Sequence, residues 1–126
     1  MKIAALIARI LLGLVFVVFG LNGFFHFMNG PLPSGVAGQF LGALIQSHFD
    51  LVLSTVELAG GALLLANRYV PLGLVLLGPV IVNIFFHHLL MDRSGLIIAI
   101  VVIILWGLVA LRHRQYFSGL FVQRAS

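Results

Sequence analysis

Residues 70–91 read VPLGLVLLGPVIVNIFFHHLLM, and this stretch decides the fold. It reaches the ~20 residues that cross a hydrocarbon core, and its polar side chains are held back to the end. Pro71 suits the first turn of such a helix. Pro79 removes a backbone hydrogen bond in the middle and predicts a kink. The run then closes on Asn83-Ile84-Phe85-Phe86-His87-His88, with Asp92 close behind.

The rest of the chain agrees with a membrane reading. Of its 126 residues, 62% are hydrophobic and only 8% charged, and the mean hydropathy is +1.22. A soluble domain of this length would expose large apolar patches. Residues 3–28 form a first run, too long for the ~7–15-residue apolar core of a leader peptide, and no small-x-small site follows it. A retained span is therefore expected there. Residues 50–67 and 96–111 complete a set of four spans. Between the first two, the turn-rich residues 29–35 lead into residues 36–49. In that segment Val36, Ala37, Phe40, Leu41, Leu44 and Ile45 repeat at helical period, but the segment is too short and polar to span, so it predicts a helix lying at the interface. The expected architecture is all-α: a single-domain polytopic membrane protein, a four-transmembrane-helix bundle with a short interfacial helix between helices 1 and 2.

Charge sets an orientation. Counting spans puts Lys2, Arg9, Arg68, Arg112, Arg114 and Arg124 on one side and Arg93 alone on the other. The positive-inside rule then places both termini in the cytoplasm, with the inner membrane as the expected location. The pI near 10.8 rests on few charges, and no basic run with interleaved aromatics occurs, which argues against nucleic acid as a partner. Cys is absent, so the chain has neither disulfides nor thiol chemistry of its own.

The polar residues inside the spans are the candidate site. Asn22-Gly23-Phe24-Phe25-His26 repeats the Asn-x-Phe-Phe-His pattern of Asn83–His87, and each copy follows a Leu-Gly-Leu-Val sequence (residues 12–15 and 72–75). The pattern predicts a parallel duplication of a two-helix unit. Spacing i, i+4 puts each Asn and His on one helix face. Glu57 is the only carboxylate well inside an apolar run. It shares a stripe with Asp50, Ser54 and Gly61, which should face other helices. An ionised acid at mid-helix costs on the order of 3 kcal/mol on insertion scales, so Glu57 should be paired, hydrogen-bonded or protonated.

Asn22, His26, Glu57, Asn83 and His87 thus form a candidate polar pocket. Arg9, His88 and Asp92 are secondary members: Arg9 reads as snorkelling to the near interface, and His88 points about 100° away from His87. His48 and His113 read as a surface residue and a helix-end cation.

Three chemistries fit this set. A quinone pocket needs an apolar slot, a few orienting donors and acceptors, and a proton relay. Here the Phe pairs, the Asn residues, and His26, His87 and Glu57 would supply them in turn. Haem needs two axial ligands, for which His26 and His87 stand at matching depth. The third option is structural, with polar groups joining helices in a non-catalytic or transport-like protein.

Several of these stretches also carry a family resemblance. Residues 8–16 (Ala-Arg-Ile-Leu-Leu-Gly-Leu-Val-Phe), Phe19-Gly20-Leu21-Asn22-Gly23-Phe24, residues 57–65 (Glu-Leu-Ala-Gly-Gly-Ala-Leu-Leu-Leu), Tyr69-Val70-Pro71-Leu72-Gly73-Leu74, and Pro79-Val80-Ile81-Val82-Asn83-Ile84 with His87 resemble the DoxX family of small membrane proteins. The resemblance covers the chain up to Met91. It implies a four-helix fold and a link to respiratory redox chemistry, as an accessory subunit of a thiosulfate:quinone or quinol-oxidase type complex. Arg9, Asn22, Glu57, Pro79, Asn83 and His87 fall on its motifs. Some similar bundles work by thiol exchange, and without Cys this chain lacks that chemistry. The expected partners are the lipid bilayer and either other redox-complex subunits or further copies of this chain.

Overall fold

A computed structural model describes residues 2–26 and 30–124. Its elements are α1 (Lys2–Phe25), α2 (Gly35–Gln46), α3 (Phe49–Ala66), α4 (Val70–Leu90) and α5 (Leu96–Arg112), with 3-10 turns at Arg93–Gly95 and Arg114–Phe121. No strand occurs among the described residues. Among the described residues, four helices are long and apolar enough to cross a membrane: α1, α3, α4, and α5 with the turn before it. The chain is the expected all-α membrane bundle, and α2 is the short helix between its first two spans. The expected end of the first span, at 28, lies outside the described residues.

Helix ends follow from local chemistry. α2 stops at Gln46, before the expected 49, because His48 takes a left-handed φ of 64° and turns the chain into α3. Ser47 steadies that turn: Phe49 donates its N–H to the Ser47 Oγ at 3.3 Å. At the far end of α3, Asn67 (φ 55°) takes the left-handed position that glycine usually fills. Its N–H and that of Arg68 donate to the carbonyls of Leu64 and Leu63 at 3.2 and 3.1 Å, closing a Schellman-type end.

The four long helices form an up-down-up-down ring, in which α1 packs on α3, α3 on α4, α4 on α5, and α5 back on α1. Lipid chains are as apolar as leucine, so burial of greasy surface drives this packing little; close backbone approach and interhelical bonds must hold it. The α1–α3 seam shows how. A Cβ placed on Gly20 would lie 2.8 Å from the Leu58 nitrogen and 2.9 Å from the Ser54 carbonyl. One on Gly61 would lie 2.8 Å from the Val17 nitrogen and 2.9 Å from the Gly13 carbonyl. Backbone meets backbone along this seam, and only glycine permits it. Gly60 and Gly73 bring α3 and α4 together in a looser version.

Leu12, Phe16, Leu64, Leu74, Leu77 and Val109 fill the centre and are fully buried. The outer faces are apolar as well, with Ile97, Ile98, Ile100, Val101, Ile103 and Ile104 of α5 all exposed. Such a surface calls for lipid around it.

The ring has two different ends. One carries Lys2, the Asn67–Tyr69 turn and the residues after α5. The distal end carries His26, α2 and the α4–α5 turn.

Candidate functional site

The sequence-based candidates sit from mid-depth to the distal end of the ring, apart from Arg9, which lies toward the terminal end. Glu57 lies midway along α3, half-buried, between Ser54 and Gly61 on the stripe that packs against α1. His87 lies in the last turn of α4. With ~1.5 Å of rise per residue, Glu57 sits roughly 7 Å deeper than His87. Glu57 makes no hydrogen bond or ion pair with any described residue.

The Asn-x-Phe-Phe-His motif of α4 is divided among three directions. The Asn83 amide turns back along its own helix and donates to the Pro79 carbonyl at 2.9 Å. Pro79 sits one turn earlier in the same helix, so the Asn83 amide is satisfied locally. Phe85 and Phe86 lie edge to face, with ring centroids 5.2 Å apart. They line an apolar cleft of about 300 Å³ between α4 and α5, together with Gly78, Ile81, Ile103 and Trp106. His87 faces the other way, where its ring stacks in tilted fashion on Phe40 of α2 with centroids 5.5 Å apart. Its Nδ1 is buried and has no hydrogen-bond partner.

His88 and Asp92 belong to the α4–α5 turn. The His88 Nδ1–H donates to the Asp92 carbonyl at 3.0 Å, which fixes that tautomer. The His88 ring packs so tightly on Gly95 that a Cβ there would collide with it. The Asp92 carboxylate accepts the Ser94 hydroxyl at 2.6 Å and the Ser94 N–H at 3.1 Å. Those two bonds hold its carboxyl below the ordinary carboxylate range, with the histidine charges adding to the effect. His88 and Asp92 thus build the turn.

In the first copy of the motif, Asn22 is half-buried on α1. His26 follows the helix with φ 52° and an exposed side chain, and its N–H donates to the Asn22 carbonyl at 2.7 Å. His26 therefore ends α1, whereas its counterpart His87 lies inside α4. The two copies differ at the residue that would have to match for a symmetric pair of ligands. No group of three or more metal-type ligands occurs among the described residues.

Arg9 does more than reach for the interface. Its guanidinium donates to the carbonyl of Leu64 at the end of α3. It thereby places a positive charge on the negative end of that helix. Phe40 was outside the sequence-based set. It shares the apolar stripe of α2 with Ala37, Leu41 and Leu44, and that stripe was the available signal. A helix at the interface must turn its apolar side toward some part of the bundle, and here it covers His87.

Comparison of this chain with family models, with characterised proteins and with solved structures returned no match.

Proposed function

We propose that this chain is a DoxX-like accessory subunit of a membrane oxidoreductase, of thiosulfate:quinone or quinol-oxidase type, that handles a quinone through its distal half. Both termini then face the cytoplasm of the inner membrane, following the excess of Lys and Arg at the terminal end.

One observation carries the proposal: the side-chain bonds that join the spans leave the half-buried Glu57 carboxyl and the buried Nδ1 of His87 unused. Arg9 links α1 to α3, and Trp106 links α5 to α4. Glu57 and the Nδ1 of His87 join no other described residue by a hydrogen bond. Polar groups retained in a bilayer without structural employment mark a proton or substrate path. The Phe85–Phe86–Trp106 cleft adds an apolar slot open to lipid, of a size that suits a flat ring or an isoprenoid chain. It lies on the face of α4 away from His87, so a single ring in that slot does not touch the imidazole. Proton delivery and apolar docking are separate duties in this scheme.

The test is quinone co-purification from a quinone-containing membrane. Phe86→Ala, in the slot, is expected to lower bound quinone, and Glu57→Gln and His87→Ala to leave it bound but slow protonation of the reduced ring, all with the melting temperature of the purified protein unchanged. Normal quinone content in Phe86→Ala, with earlier melting in the other two, would sink the proposal in favour of a purely structural role.

That structural role is the second reading, and Asn83 favours it. Its amide is satisfied within its own helix by the Pro79 carbonyl, and is therefore not held ready for a ligand.

A further inference from the structure

The terminal end of the ring holds a second site, which does not depend on the quinone reading. A cleft of about 550 Å³ opens there between the start of α1, the Asn67 turn and the end of α5. Its volume falls in the ~300–1,000 Å³ range of ligand clefts. Lys2, Arg9 and Arg112 all line it, with Gln115 and Tyr116 beside them.

No acidic side chain answers these cations. The chain has three acidic residues, and all lie elsewhere: Asp50 and Asp92 at the distal end, Glu57 at mid-depth. Arg9 forms the inner part of the cleft, roughly 10 Å along α1 from Lys2 at ~1.5 Å per residue. One of its N–H groups is committed to the Leu64 carbonyl, and a guanidinium carries several more. Three positive charges at graded depth, with no acidic side chain beside them, are arranged for an anion that enters from outside. The rim indicates what carries that anion. Ile3, Leu6 and Tyr116 line the same cleft and are exposed, so apolar and interfacial aromatic surface adjoins the cations. That combination fits an amphiphile lying at the level of the headgroups.

We propose that this cleft binds an anionic phosphoryl group, supplied by the headgroup of a membrane phospholipid. Arg9 and Arg112 engage the phosphate oxygens, Lys2 closes the mouth, and the acyl chains run along the exposed start of α1.

The test uses the full chain in phosphatidylcholine nanodiscs doped with phosphatidylglycerol. Retained lipid is read by mass spectrometry of the intact complex, and protection by the shift in melting temperature. Phosphatidylglycerol is expected to be retained and to raise the melting temperature, whereas matched concentrations of inorganic phosphate are expected to do neither. Lys2→Gln with Arg112→Gln is expected to weaken retention about tenfold or more. A control pair of equal charge loss outside the cleft, Arg68→Gln with Arg114→Gln, should retain lipid as the parent does. Equal loss in both pairs would reduce the effect to general surface charge and overturn the site. Undiminished retention in the cleft pair would overturn it too. Inorganic phosphate that displaces the lipid and protects equally would overturn the lipid source.

Discussion

Trp106 reaches from α5 to α4 and donates its Nε1–H to the carbonyl of Leu74 at 2.9 Å. The acceptor lies one residue before Val75, whose own carbonyl loses its helical partner because Pro79 has no N–H. The bond therefore ties α5 to α4 beside the break in the α4 ladder. Trp106→Phe keeps most of the ring and removes the donor. The expected loss is about 1 kcal/mol, in the range of interhelical hydrogen bonds in membranes. Denaturant unfolding in detergent micelles measures it, and an unchanged midpoint would show that the bond adds nothing.

The glycine seam makes a sharper contrast. Gly61→Ala puts a methyl group against the Val17 nitrogen and the Gly13 carbonyl, so α1 and α3 must separate. Overpacking of this kind costs about 1–3 kcal/mol. Gly107→Ala meets nothing within 4 Å and only gains helix propensity. It should be neutral or stabilising by up to about 1 kcal/mol. Melting temperatures of the two variants should move in opposite directions or differ clearly, and equal shifts would contradict a close seam.

Arg9 caps α3, and its charge matters as well as its reach. Arg9→Gln should destabilise the bundle by about 1–2 kcal/mol through the lost charge–dipole and hydrogen-bond contribution. Arg9→Lys should lose less, because it keeps the charge. Both are best measured in phosphatidylcholine alone, where no anionic lipid occupies the cleft. Equal loss in the two variants would mean that guanidinium geometry, rather than charge, does the capping.

Asp92 should give the α4–α5 turn a pH response at the acid end. Its carboxyl is held below the ordinary value of 3.8 by the Ser94 hydroxyl and N–H. A depressed carboxylate contributes fully above its unfolded pKa, and the contribution fades as pH falls through the folded one. Hydrogen exchange at the Ser94 amide should therefore stay protected at neutral pH and lose protection only below the usual carboxylate range. Asp92→Asn should remove that pH dependence. Loss of protection near pH 6 would point to the neighbouring histidines instead.

Phe40 should govern access to His87. With Phe40→Ala the imidazole loses its stacked cover, and α2 loses a contact to the bundle. Carbethoxylation of His87 should speed up several-fold, and backbone exchange across α2 should rise. Val36→Ala, an exposed position on the same helix, is the control and should change neither.

Much of the fold was legible in the sequence because lipid imposes a length. Apolar runs of the right size mark spans without any knowledge of partners, and the interfacial period of residues 36–45 marks α2. The site was less legible. Spacing put Asn83 and His87 on one face, but spacing does not reveal that Pro79 offers Asn83 a nearer acceptor. It put His26 and His87 in matching motifs, but the left-handed turn at His26 depends on where α1 ends, which the motif does not report. The unpartnered state of Glu57 is a property of what surrounds it, and no sequence period reports it. Arg9 was placed at the right end of the bundle but credited to lipid, because its acceptor is a backbone carbonyl more than fifty residues away.

The backbone contact between α1 and α3 also divides the protein mechanically. Two helices whose main chains touch at Gly20 and Gly61 cannot slide past one another without opening the seam. They move as one stiff plank, and Glu57 is fixed in it. Compliance is left to α4, where Pro79 provides a joint partway along the helix. Bending at that joint swings Phe85, Phe86 and His87 together and moves the imidazole across Phe40, because α2 packs on α3 and stays with it, as the carboxylate does. Any change in distance between acid and imidazole is therefore a stroke of one hinge against a fixed wall.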